Sequence, residues 1–179
     1  VSIFEPHTDI IVRNKKRKPV EFGHKLVIAE TKAGFIFHHD VQDGNPSEKP
    51  WVEETLSRHD EVYGEPPRLL AADRGFYSEA NIALCKKAGG QIEAIPYQGG
   101  RRTAERTEHE TTAEYKNAQN FRSGVEGRIS GLMRGRGLHR CSLQGRERFD
   151  LFVAAGILTS NLMCLAEIVM EKAKQNEAD

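Results

Sequence analysis

Two carboxylates carry the chemistry this chain could do. Asp73 follows the short apolar run Leu69-Leu70-Ala71-Ala72 and precedes Arg74-Gly75-Phe76-Tyr77. A strand ending in an aspartate, with a glycine turning the chain toward a helix, presents a carboxylate at the carboxyl end of a strand. Open α/β folds place their sites there. Glu126 lies 53 positions later, in Phe-Arg-Ser-Gly-Val-Glu-Gly-Arg-Ile-Ser, on a stretch that reads as a basic helix. Mg²⁺ is a hard cation, held by one or two protein carboxylates with water and substrate phosphate completing its octahedron. An aspartate on a strand end and a glutamate among arginines therefore point to Mg²⁺-dependent chemistry on nucleic acid. The plainer alternatives stay open: Asp73 as the cap of the next turn, and Glu126 as half of an exposed i,i+4 pair with Arg122.

Glu126 has Gly124 and Gly127 beside it. Each costs a helix interior roughly 1 kcal/mol relative to alanine, so two of them around a glutamate suggest that something large approaches closely. From Phe121 to Arg148 there are seven arginines, including Arg122, Arg128 and Arg134, against two glutamates. Net charge over the 179 residues is zero, with 26 basic and 26 acidic side chains, so a basic face must come from segregation of charge. A solvated helix explains the same arginines. A second basic run, Lys15-Lys16-Arg17-Lys18, precedes Pro19 and reads as a loop able to contact phosphates.

Around these residues the elements follow from patterning. Residues 21–30 and 35–41 read as a hairpin, after an apolar run at 10–12, and Asp43-Gly44-Asn45-Pro46 closes it with strong turn chemistry. Ser47 is placed to cap a helix running to Tyr63. Residues 68–72 form the strand that delivers Asp73. Ser78 caps a helix over 79–88, ended by Gly89-Gly90, and 91–96 is another short strand. Residues 99–109 lack periodicity and read as a loop. Helices are expected over 111–134 and 148–174, with a Gly/Arg-rich loop over 135–145. Hairpin, then alternating helices and strands, predicts a mixed α/β sheet with flanking helices, in one domain over 1–174 with a polar tail at 175–179.

The uncharged stretch Leu151–Ala166 is 16 residues long and holds Thr159, Ser160 and Asn161. A membrane span needs roughly 20 apolar residues, so the expectation is a buried core helix and no membrane partner. Cys85, Cys141 and Cys164 form no C-x-x-C pair, which excludes a zinc knuckle and suits a reducing cytoplasm. No signal peptide is visible. No P-loop and no serine-nucleophile signature occurs. In His38-His39-Asp40 only His38 and Asp40 could share a strand face, and His139 with Cys141 has no third partner.

Five blocks in order resemble bacterial insertion-sequence transposases of the DDE class. They are Ser-Ile-Phe-Glu-Pro-His-Thr-Asp-Ile-Ile at 2–11, Glu-Phe-Gly-His-Lys at 21–25, Asp-Gly-Asn-Pro at 43–46, Ala-Asp-Arg-Gly-Phe-Tyr at 72–77 and the Glu126 block at 121–130. The resemblance runs from about Ser2 to Ala166. It implies a ribonuclease H-like core in which two aspartates and a glutamate hold two Mg²⁺ (or Mn²⁺) ions. These ions activate water or a 3′-hydroxyl for in-line attack on a DNA phosphodiester. Asp73 matches the second aspartate, Glu126 the glutamate, Arg122 the basic position of its helix, and Tyr77 the aromatic after the aspartate.

The family's first aspartate stands upstream of the 2–11 block. The expectation is therefore a catalytic domain lacking its first strand and its first aspartate, a role not transferred to Asp9, Asp40 or Asp43. Two DNA-contacting positions also depart: Met133 stands for a lysine and Gln119 for a tyrosine. The implied function is Mg²⁺-dependent DNA cleavage and strand transfer by a cytoplasmic, nucleoid-associated homo-oligomer. The implied DNA contacts are Arg122, Arg128, Arg134 and residues Lys15 to Lys18. An inactive DNA-binding or regulatory remnant is the alternative. A metal-dependent nuclease on the same fold fits the site and leaves the five blocks unexplained.

Overall fold

A computed structural model describes residues 7–12, 19–88 and 92–176. The chain divides into two compact units, the first combining Val1–Asn45 with Arg128–Asp179 and the second Pro46–Gly127. The architecture is mixed α/β, with small sheets and five α-helices among the described residues.

In the first unit, β1 (Asp9–Val12) pairs antiparallel with β2 (Val20–Gly23), Ile10 opposite Phe22 and Val12 opposite Val20. β3 (Lys25–Glu30) pairs antiparallel with β4 (Ile36–Gln42). The expected 21–30 strand is thus two strands. Gly23, at φ +141°, lets the backbone break between them, so β2 ladders back to β1 while β3 ladders forward to β4. The hairpin itself and the turn after it, with Gly44 at positive φ, match expectation. The final helix runs from Arg146 to Asn176. Ile36, Val41, Leu132, Val153 and Ile157 form this unit's core.

In the second unit α1 (Trp51–Tyr63) starts three residues later than Ser47 implied. Pro50 occupies the N-cap without a side-chain bond, and the Ser47 hydroxyl instead accepts from the Lys49 N–H at 3.3 Å. β5 (Leu69–Ala71) and β6 (Ile92–Ala94) pair in parallel. Between them α2 (Glu79–Lys87) is capped by Ser78, which accepts from the Asn81 N–H at 3.1 Å. Val52, Leu56, Leu70, Ile82, Cys85 and Ile95 form the core under these elements.

The segment expected as a loop over 99–109 is a correction. Ala104–Thr111 is a helix, α3, capped by Thr103. Its side chains are polar all round, so no apolar stripe marks it. It is held by Arg106, which pairs with buried Glu93 and, one turn on, with Glu110 at 2.9 Å. A break at Thr112 separates it from α4 (Ala113–Ser130), which ends in a π-turn over Gly131–Gly135.

The described strands pair as three two-stranded ladders, one parallel and two antiparallel. The expectation of a buried helix over Leu151–Ala166 holds for one face only. In α5 (Arg146–Asn176) Val153, Gly156 and Ile157 are buried, while Leu151, Leu158, Leu162, Met163 and Leu165 are exposed. By length and composition it is a helix able to cross a membrane.

Candidate active site

Asp73 leaves β5 in extended conformation, at φ −74° and ψ 165°, and its carboxylate accepts the Arg74 N–H at 2.7 Å. It caps a single 3₁₀ turn, Arg74–Phe76. The capping role and an outward carboxylate coexist, since the side chain is 69% exposed.

The turn is pinned from several sides. Arg74 Nε donates to the Tyr97 carbonyl at 3.0 Å. The buried Asn81 amide donates to the carbonyls of Phe76 (2.7 Å) and Lys49 (2.9 Å). A Cβ at Gly75 would meet the Glu48 carboxylate, the far end of a flexible side chain that would have to swing aside. Tyr77 is buried and donates to Glu79 at 2.5 Å. Burial first, then the bond and charge of Glu79, push its phenol up to about 12, so it stays a donor.

α4 seats Tyr115 and Ala118 against Ala71 and Ala94 of the parallel strands. One turn on, the Gln119 amide donates to the carbonyls of Ala72 (3.3 Å) and Ala94, while its oxygen accepts from Arg122 Nε at 3.0 Å. Gln119 therefore ties the helix to the strand ends and aims Arg122. The guanidinium lies 3.6 Å from the Glu126 carboxylate and 3.9 Å from that of Asp73. The structure brings Asp73, Arg122 and Glu126 together within one unit. At these distances the contacts are electrostatic rather than hydrogen bonds. Both carboxylates are largely exposed, at 69% and 73%, so they add little stability. Both are hard-oxygen donors open to water, the ligand type that Mg²⁺ and Mn²⁺ take.

The other basic candidates are placed differently. Arg128 lies 2.7 Å from Glu30, whose side chain is 2% exposed, so its charge is already met. Arg134 sits on the π-turn, exposed, with its Nε donating to Ser130 Oγ at 3.0 Å. Lys15, Lys16, Arg17 and Lys18 lie outside the described residues. An added Cβ at Gly124 or Gly127 meets nothing within 4 Å, leaving that side of α4 open. His38 is buried in β4 whereas Asp40 is exposed. Cys141 contacts the Leu143 carbonyl at 3.6 Å, and all three cysteines are free.

In the other unit Asp9, His24 and Asp43 bring one ligand atom each to within 4.8 Å of one another. Asp9 accepts from His24 Nδ1 (2.9 Å) and from the Gly44 N–H (2.7 Å), and His24 Nε2 faces His7 Nδ1 at 2.8 Å. Arg146 already pairs with Asp43. With both ring nitrogens of His24 engaged and a guanidinium on Asp43, the cluster reads as a brace joining β1, the β2–β3 junction and α5.

Sequence reasoning missed three features: the tether that Gln119 makes to the strand ends, the Glu48–Gly75 approach, and the Arg106–Glu93–Glu110 network. The i,i+3 spacing of Gln119 to Arg122 and the i,i+4 spacing of Arg106 to Glu110 were the available signals. Glu48 had none, because its meeting with Gly75 is tertiary.

No curated protein and no solved structure matches the chain. A model of the transposase DDE domain matches residues 8–162, a span that takes in Asp73, Gln119, Arg122 and Glu126. With most of its length so matched, the chain belongs to the transposase DDE domain family.

Proposed function

We propose that this chain is the ribonuclease H-like part of a transposase that cuts and joins DNA at the ends of a bacterial insertion sequence, with Asp73 and Glu126 as ligands of Mg²⁺ or Mn²⁺. The observation that carries this reading is the position of the Arg122 guanidinium, 3.9 Å from Asp73 and 3.6 Å from Glu126. It supports a pair of carboxylates whose mutual repulsion calls for a cation. When bound, the metal would supply Lewis-acid polarisation of a phosphodiester and a stronger nucleophile at neutral pH. The protein's own part is positional. Asp73 is fixed by its bond to the Arg74 N–H, and Glu126 is carried on a helix tied to the strand ends by Gln119.

Arg122 holds the two carboxylates while no metal is bound and is free to turn to a DNA phosphate when one is. Arg134 and the Lys15 to Lys18 run add phosphate contacts, and Arg128 adds less because Glu30 already meets its charge. The working form is a homo-oligomer acting on DNA in the cytoplasm, at the nucleoid.

Titration with Mn²⁺, followed by electron paramagnetic resonance, tests the site. Asp73→Asn and Glu126→Gln should each weaken binding by about tenfold or more, since affinity follows ligand charge count. Unchanged Mn²⁺ binding in both variants would overturn the assignment.

One observation favours a second reading, a DNA-binding regulatory remnant without catalysis. Among the described residues Asp73 and Glu126 belong to no cluster of three ligands. In that case the chain binds DNA with the same affinity whether or not Asp73 is replaced, and nicks no DNA in Mg²⁺ or Mn²⁺.

A further inference from the structure

Next to Asp73 stands a cation, Arg74, on the same 3₁₀ turn. β5 and β6 run parallel, with Ala71 opposite Ala94. Parallel pairing brings the segments that follow both strands to one end of the ladder, where open α/β folds hold their ligands. Asp73 and Arg74 leave β5 there, and Tyr97 follows β6 there. Arg74 is held at two points. Its N–H donates to the Asp73 carboxylate at 2.7 Å, and its Nε donates to the Tyr97 carbonyl at 3.0 Å. The loop it reaches is itself fixed. The Tyr97 N–H donates to Glu110 at 2.8 Å, and Arg102 pairs with the same carboxylate at 3.3 Å.

The charge of Arg74 is unmet. Arg58, Arg102, Arg106 and Arg122 of the same unit each lie against a carboxylate. Among the described residues Arg74 forms no ion pair, and the acceptor that its side chain meets is a neutral carbonyl. The residue is exposed. A guanidinium carries its N–H donors in a planar fork. With Nε on the carbonyl, the Nη1–Nη2 edge remains, and that edge matches two oxygens of a phosphate. Ordering a loose arginine for such a contact costs rotamer entropy, but here the Tyr97 bond has already ordered it.

We propose that Arg74 is a phosphate ligand for DNA, holding through its Nη1–Nη2 edge a phosphodiester of the strand that lies across Asp73 and Glu126. Arg122 and Arg74 then differ in task. Arg122 sits between the two carboxylates, which meet part of its charge, whereas the charge of Arg74 is available. A staple between the β5 and β6 segments is the plainer role for the Nε bond. A staple onto a carbonyl needs only a neutral donor, as the Asn81 amide provides for the Phe76 carbonyl of the same turn. A full positive charge left exposed beside it points to an anion. The contact deepens the proposed function and rests on its reading of the site as one that acts on DNA.

The test is fluorescence anisotropy of the full 179-residue chain with a labelled, mixed-sequence DNA duplex over a range of salt. EDTA is present, so metal at the carboxylates plays no part. Arg74→Gln should weaken DNA binding about tenfold, or ~1.4 kcal/mol, and flatten the salt dependence by one contact, a slope change of ~0.9. Arg74→Lys keeps the charge without the fork, so it should restore the slope but not the affinity. Arg58→Gln on α1, whose charge Glu61 meets, should change neither. If Arg74→Gln does not fold, phenylglyoxal labelling of the wild type replaces it, since the reagent condenses with the Nη atoms. DNA should then shield Arg74 and leave Arg58 reactive. A lower urea midpoint with an unchanged salt slope makes Arg74 a staple and overturns the proposal, as does full affinity in Arg74→Lys or equal labelling of Arg74 with and without DNA. Each of these leaves the carboxylates standing, which Mn²⁺ titration tests by itself. A wild type that binds no DNA overturns both.

Discussion

Arg122 is the residue on which the site turns. It faces both carboxylates and is aimed by Gln119, so its removal should act in two directions. Arg122→Gln takes away a cation that competes with the metal, an effect of ~1 kcal/mol between exposed charges about 4 Å apart. Mn²⁺ binding in the absence of DNA should then tighten roughly fivefold, while DNA binding weakens. A variant that loses both affinities would show that Arg122 organises the carboxylates rather than substituting for an ion. Gln119→Ala should lower DNA affinity through the loss of that aim without touching the carboxylates. Gln119 thus links α4 to the strand ends as well as to Arg122. Its role was not readable from the sequence, since its partners are the carbonyls of Ala72 and Ala94 on distant strands.

At the scale of elements, α3 and α4 make opposite points. α3 is a polar helix held by an ion network: Arg106 contacts Glu93, Glu110 and the Ile95 carbonyl, and His109 Nε2 meets the Glu93 carbonyl at 2.8 Å. Burial works against the charge of Arg106, but its bonds and attraction to Glu93 and Glu110 outweigh it and raise its pKa. Arg106→Ala leaves a carboxylate that is 3% exposed without its guanidinium, with only His109 (3.1 Å) and the Ile95 N–H (3.2 Å) beside it. A loss of about 3–5 kcal/mol is expected, read as a lower urea midpoint, with Glu93→Gln restoring part of it in the double variant.

α4 instead gives up stability at Gly124 and Gly127. Alanine at either position meets no neighbour and should stabilise the chain by up to about 1 kcal/mol. If those glycines make room for a DNA backbone, the same variants bind DNA less well. Higher stability with unchanged DNA affinity would remove that explanation. The strand end, the Asp73 turn and the cap of α2 were legible because each is a local event. α3 was not, because its stabilising partner Glu93 lies on β6.

For the whole molecule, zero net charge does not preclude DNA binding, because the arginines are concentrated over 121–148. Each phosphate neutralised should contribute a slope of about −0.9 to the dependence of log affinity on log salt. Fluorescence anisotropy with the wild type and Arg134→Gln should differ by about one such contact, with little change between DNA sequences. A salt-independent affinity would count against phosphate contacts altogether. The apolar side chains left in view, Ile10 and Phe22 on the first hairpin and the exposed leucines of α5, belong to the same scale. They mark surfaces that a single copy of the described chain leaves uncovered.

By itself the sequence determined the candidate carboxylates, the strand and capped helix around Asp73, and the family, since each is written in short blocks whose spacing survives without coordinates. Tertiary structure decided which side chains meet: Arg122 between Asp73 and Glu126, Glu48 against Gly75, Arg128 on Glu30, and one covered face of α5 in place of two. The reason is physical. Local propensity and caps act over a few residues, whereas the pairing of a buried charge depends on what another element brings to it, and no spacing along the chain encodes that.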